Sequence, residues 1–245
     1  MVRIHSMFMS APLFSSDLAP FRLKTLLAFF ISLIVFPILS KNPVKIPGDM
    51  GSYGLMILSE VVIGLLIGFL ASVIFSAFQL AGQYFSVQIG FGFSEVVDPL
   101  AQVSVPIIGQ LKNLVGMLVF LYIDGHHFLI RAVVRSFELA PSFNMTESSL
   151  LWHLKYISYS FSGMFLIALK IAMPIVATVF LLSVAEGILA KAAPQMNIMM
   201  LGFPIKIVVA FVLIAAIAPV TLRIMHISLE RTFDFISRVL INWPV

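Results

Sequence analysis

The sequence predicts an all-α protein embedded in a membrane or in an assembly that buries it, built from long broken helices and helical hairpins. Three observations carry this. First, 60% of the 245 residues are hydrophobic and only 11% are charged, with a mean hydropathy of +1.08. An average soluble domain is roughly 45–50% apolar and about 25% charged, so this chain lacks the polar surface a water-soluble fold needs. Second, stretches free of Asp, Glu, Lys and Arg recur along the whole chain. Third, no alternating polar–apolar run supports strands, and an open sheet edge has no place in lipid.

The elements follow from where charges and breakers fall. The charge-free runs include residues 25–40, 61–94, 113–123, 156–169, 171–185, 192–205 and 207–222. A spanning helix needs roughly 20 apolar residues to cross about 30 Å. Most of these runs are short, and 61–94 is far too long. Joining runs across Lys170 and across Lys206 brings the expectation to about five or six transmembrane helices. A mid-span charge costs about 2.5–3.5 kcal/mol and is tolerated where it faces protein or water. The awkward lengths therefore imply that several helices pack against protein rather than lipid.

Residues 41–49 (KNPVKIPGD) read as a Pro-rich connector, 124–127 (DGHH) as a tight turn and 141–149 as a polar loop before a new helix. Gly90, Gly92, Pro99 and Pro106, with Glu95 and Asp98, mark a loop that interrupts apolar helices. Residues 191–197 (KAAPQMN), with Pro194, Gln195 and Asn197, read as the turn of a helical hairpin. The last helix, about 220–241, carries Arg223, His226, Glu230, Asp234 and Arg238 at three- or four-residue steps. It is amphipathic and suits an interface or assembly surface. No second soluble domain and no internal repeat is read, nor is a cleavable signal peptide.

The net charge of +4 is spread along the chain without a Lys/Arg run, so nucleic acid is not an implied partner. Lys41, Lys45, Arg131 and Arg135 give no clean orientation bias. With no cysteine, neither a disulfide framework nor a Cys-based metal site is available. His126 and His127 beside Asp124 are the one histidine pair. No further ligand or general base stands at metal-site spacing, so a polar turn is the favoured reading. No GxSxG, P-loop or GxGxxG pattern occurs, and neither an enzyme nor a cofactor is expected.

Three features remain as candidates for a role. Gly64, Gly68, Ser72 and Ser76 recur every four residues and form a small-residue stripe that lets a helix approach closely, from within the chain or from another subunit. Gln79, Gln83 and Gln88 would line a wet path or bond a neighbouring helix. Glu186 and Lys206 flank the Pro194 turn at similar distances, so an antiparallel hairpin brings them within about a turn of each other. An ion pair is favoured there, although a proton relay would use the same residue types.

In order and spacing these segments resemble the FliR family of flagellar type III export-gate proteins, whose virulence counterpart is the SctT family of injectisomes. Arg3-Ile4 through Ala11-Pro12-Leu13 is similar to the family's opening segment. Residues 60–69 (EVVIGLLIGF) and 79–90 (QLAGQYFSVQIG) resemble its long central helix. Asp98-Pro99, Phe120-Leu121, Gly125-His126 and Ser136-Phe137 with Pro141 follow in order. Ala193-Pro194-Gln195-Met196-Asn197 with Gly202-Phe203-Pro204-Ile205-Lys206 is the most specific block. Family members usually carry some further residues ahead of Arg3, which leaves the geometry of the first helix open.

The resemblance implies one FliR-like domain over 1–245. Its fold would resemble a FliP-like part (about 1–140) fused to a FliQ-like hairpin pair (about 150–245). It implies a bacterial inner-membrane location within the flagellar basal body, with much of the complex on the periplasmic side. FliP-like and FliQ-like subunits would complete a helical complex, with FlhB-like and FlhA-like proteins as further partners. Unfolded export substrates would pass through its pore, and the chain itself would hold no catalytic residue. It further implies that residues 90–104, with Gly90, Phe91, Gly92, Phe93, Glu95, Asp98 and Pro99, plug the closed gate. Asp98-Pro99 and the Pro194 block lean towards the flagellar branch. A polytopic small-solute transporter stays open as the alternative; it would favour spans of ordinary length and polar groups converging in mid-membrane.

Overall fold

In a computed structural model of the chain, residues 1–14, 20–39, 47–90, 107–141, 146–193, 195 and 198–244 are described. They form eight α-helices in chain order: α1 (Val2–Ser10), α2 (Phe21–Leu39), α3 (Met50–Ile89), α4 (Ile107–Tyr122), α5 (Gly125–Leu139), α6 (Glu147–Ala192), α7 (Ile198–Ala216) and α8 (Ala218–Ile241). Among the described residues there is no strand. The all-α class read from the sequence is the class observed.

The count of membrane-length helices differs from the expected five or six. Two helices, α3 and α6, are long and apolar enough to cross a membrane; the number rises to four if the bent pairs α4–α5 and α7–α8 each make one span. As far as Ile89, the over-long apolar run after Glu60 belongs to one unbroken helix of 40 residues, α3. The runs on either side of Lys170 belong to one helix of 46 residues, α6, which continues through both Lys170 and Pro174.

The breaks have local causes. Asp49 caps α3: its Oδ2 accepts from the Ser52 backbone N–H at 3.0 Å and from the Ser52 hydroxyl at 3.2 Å. These bonds, the backbone one first, hold the Asp49 carboxyl below the usual carboxylate range. Between α4 and α5, Asp124 takes the left-handed conformation (φ 57°) and the chain bends by 67°. Between α7 and α8 the chain bends by 59°. Pro219 stands in the first turn of α8, where its missing N–H withdraws a bond from the preceding turn.

The chain divides into two compact units that are not contiguous in sequence. One comprises Met1–Phe75, Phe120–Ser162 and Leu229–Val245. Its core holds Ile4, Met7 and Phe8 of α1, Ile63 and Ile67 of α3, and Leu129 and Val133 of α5, all nearly inaccessible. Phe128 of α5 stacks on Phe233 of α8 with centroids 4.3 Å apart. Trp152 and Tyr156 of α6 cluster with Trp243 and Phe235 at the end of the chain.

The other unit comprises Ser76–Val119 and Gly163–Ser228. Here α3 and α4 cross at three glycines. A Cβ on Gly82 would strike the Gly109 backbone, and one on Gly116 would strike the Phe78 ring. Such contacts permit backbone approach where larger residues would hold the helices apart. Lys112, almost fully buried, lies with its ammonium 5.4 Å from the Phe85 ring centre.

Candidate functional site

Three sequence motifs meet inside the second unit, at the C-terminal end of α3, the end of α6 and the start of α7. Gly90 closes α3. Its N–H donates to the Ser86 and Val87 carbonyls, both at 3.2 Å, and its φ is +94°. That backbone region is open to glycine and strained for other residues. A side chain at this position would also collide with the ring of Phe203. Phe203 belongs to the Gly202–Lys206 block of α7, so the root of the 90–104 segment rests directly on that block.

On the same block, Gly202 is buried, and a Cβ there would come within 2.6 Å of Glu186 Oε1. Glu186 reaches across from α6. Its Oε2 lies 2.8 Å from Lys206 Nζ, with about a fifth of each side chain accessible. Its Oε1 is buried without a hydrogen-bond partner among the described residues. The pair thus joins the two arms of the hairpin formed by α6 and α7, and Gly202 supplies the room for the carboxylate.

The other singled-out residues lie as follows. Phe91, Gly92, Phe93, Glu95, Asp98, Pro99, Pro194 and Asn197 fall outside the described residues; Gln195 stands in the connection between α6 and α7 and is exposed. Gly64 and Gly68 face α1. A Cβ on Gly64 would meet Ser6 and the Arg3 carbonyl, and one on Gly68 would meet Ser10, Met7 and Ala11. The Ser10 hydroxyl donates to the Leu65 carbonyl at 3.1 Å across this seam. Ser72 is half-buried and bonds its own helix, and Ser76 is exposed. Gln79, Gln83 and Gln88 are half-buried. Asp124, His126 and His127 bring potential ligand atoms within 4.8 Å of one another at the α4–α5 turn. There the Asp124 carboxylate already engages His127 Nδ1 at 3.0 Å, in an exposed pair that fastens the first turn of α5.

One cluster has no counterpart in the local sequence pattern. Arg3 is 1% exposed. Its Nε donates to Glu60 Oε2 at 2.9 Å and its Nη2 to Glu60 Oε1 at 2.6 Å. Its Nη1 donates to the Ser136 carbonyl at 2.7 Å and to Ser136 Oγ at 3.0 Å. The guanidinium also lies 4.3 Å from the centre of the Phe137 ring. This two-pronged geometry belongs to Arg rather than Lys. It fastens α1 to α3 and α5 at once. Arg3, Glu60 and Ser136-Phe137 each stand in a segment that resembles the FliR family, but their separation of 57 and 133 residues hides the contact from any local reading.

The sequence profile of the bacterial export proteins, family 1, matches residues 1–232. The chain belongs to that family. Its relatives include the flagellar biosynthetic protein FliR of Bacillus subtilis strain 168, 30% identical over 98% of this chain and 92% of that protein. The Escherichia coli K12 protein of the same name is 26% identical over 100% of this chain and 92% of its own length. That of Aquifex aeolicus is 28% identical over 89% and 83%. These matches run almost end to end and bear out the FliR resemblance. Its apolar helices and this family membership make the chain a membrane-embedded component of flagellar protein export.

Proposed function

We propose that the chain is a core subunit of the flagellar type III export gate, forming with FliP-like and FliQ-like subunits the channel through which unfolded flagellar proteins leave the cell. The near full-length likeness to proteins named FliR carries this reading. The complex sits in the inner membrane within the basal body, much of it on the periplasmic side, and FlhB-like and FlhA-like proteins are its further partners. Helices far longer than a bilayer is thick support a setting in which protein covers part of them. The small-solute transporter has no such support, because its spans would be of ordinary length.

Within that assembly, residues 90–104 serve as the plug. The glycine-dependent seat of Gly90 on Phe203 supports this reading: it gives the segment a fixed root beside the Glu186–Lys206 hairpin. Co-expression with FliP-like and FliQ-like neighbours tests the assembly. One stable detergent-resistant complex is the expected result, and a chain that ignores both partners overturns the reading. Shortening 90–104 with a flexible linker should then leave that complex assembled but leaky to ions. A shortened complex as tight as the native one removes the plug.

A further inference from the structure

Helix α6 carries two charges within its apolar body, and they are treated differently. Glu186 has its counter-ion in Lys206. Lys170, near the midpoint of the 46-residue helix, is exposed and makes no ion pair or hydrogen bond among the described residues. Its surroundings are apolar in both directions. With Lys170, the residues Leu166, Met173, Ala177, Leu181, Val184 and Ile188 recur on this face at three- and four-residue steps, and all are exposed.

Length and the position of the charge together decide what covers this face. At 1.5 Å per residue α6 is about 69 Å long, and the hydrocarbon core of a bilayer is about 30 Å thick. If Lys170 marked a headgroup level, one flank of the stripe would lie in lipid and the other in water. Yet Phe165, Leu166 and Leu169 on the one side are as exposed and apolar as Met173, Phe180 and Leu181 on the other. Water suits neither flank, and lipid over both would set the Lys170 ammonium near mid-bilayer, where a charge costs about 2.5–3.5 kcal/mol unless it faces protein or a watery cavity. A second copy of the chain is disfavoured by charge. Two α6 helices joined along this face, parallel or centred antiparallel, set Lys170 against Lys170.

We infer that the Lys170 face of α6 is an interface for an apolar helix of a different subunit, which presents an Asp or Glu carboxylate to the Lys170 ammonium. This deepens the export-gate reading and rests on it. An ammonium enclosed between two apolar helices requires such an anion, because an unpaired charge there is strongly disfavoured. The Leu/Met stripe supplies contact area, while the single pair fixes register along it.

The test uses the complex formed with FliP-like and FliQ-like subunits. Photoreactive benzophenone side chains at Met173 and Leu181 should cross-link to one particular subunit, and omitting that subunit should abolish the adduct. Lys170→Glu should lower complex yield about tenfold or more, since like charges across an interface cost several kcal/mol. Lys170→Arg should keep most of the yield. A carboxylate-to-Lys change in the cross-linked helix should rescue Lys170→Glu. Three results overturn the inference: adducts only with phospholipid, adducts only with a second copy, or an undiminished yield of Lys170→Glu in a complex that the native chain does form. If the native chain forms no complex at all, the export-gate reading fails first.

Discussion

Replacing Arg3 with Met keeps an unbranched apolar stem and removes every hydrogen bond of the guanidinium. Four donations disappear, two to Glu60 and two to Ser136. Ser136 is left well provided. Its carbonyl still accepts from the Ala140 N–H at 2.9 Å, and its hydroxyl still donates to the Val133 carbonyl at 2.7 Å. The loss therefore falls on Glu60, a carboxylate deprived of its counter-ion. Breaking a buried pair costs about 3–5 kcal/mol. Glu60 is one-fifth exposed, so water recovers part of that and the lower end, about 3 kcal/mol, applies. Because Arg3 anchors α1, the deficit should appear as local opening of α1. In detergent, amide exchange of residues 5–10 should accelerate about 100-fold, since each factor of ten corresponds to about 1.4 kcal/mol. Arg3→Met combined with Glu60→Met removes both charges and should recover most of the protection. A change below about tenfold in the single variant would refute the reasoning, as would a double variant no better than the single one.

Glu186→Gln and Lys206→Met should each lower the yield of assembled complex, by leaving one charge of a part-buried pair alone, at a cost of about 3 kcal/mol; combining them should restore some of it, measured by co-purification, and a double variant no better than the worse single one sinks the pairing. Gly68→Leu forces side-chain atoms into Ser10, Met7 and Ala11 of the α1 segment, and overpacking of this kind costs about 1–3 kcal/mol. Its folded fraction on size exclusion should fall, whereas Gly163→Ala, with open space around it, should behave as the native chain. Asp49→Ala should speed amide exchange over residues 50–53, and Asn in its place should preserve most of the protection. Because the folded carboxyl titrates below its ordinary value, its contribution is complete above that value and is lost as pH falls through the lowered one; a cap insensitive to acid would contradict this assignment.

Much of the fold is legible in the sequence because its signals are local. Composition sets the class, and Pro, Gly and Asp mark the connections. The spacing of Glu186 and Lys206 about residues 193–197 places them within about a helical turn of each other in a hairpin, and the two side chains lie in contact. What stays hidden depends on tertiary contact or on continuity. The Arg3–Glu60–Ser136 cluster unites three segments far apart in sequence, and no periodicity encodes it. The bend after Ala216 falls within an apolar run whose charges give no warning; Pro219 is its signal, two residues past the break. Gly202 reads as a neutral residue until the Glu186 carboxylate is seen beside it.

Helix length links these points to the assembly. Windows of about 20 residues suit proteins whose helices end where the bilayer ends. Here α3 and α6 run for about 60 and 69 Å, so the signals that stop a helix are set by something other than membrane thickness. The caps agree: α3 starts at Asp49, and α6 starts at Glu147 and ends beside Lys191, with charges near the termini and few within. An apolar helix of twice bilayer length exposes a surface that neither lipid nor water covers entirely. The chain covers part of it with its own elements, through the glycine crossings at Gly64, Gly68, Gly82 and Gly109. Of these two helices the remainder is greater on α6, whose apolar window is only 28% buried against 61% for α3. The less covered of these two long helices is thus the one that bears Lys170, which has no ion pair among the described residues, so a partner subunit on that face would be selected by its charge.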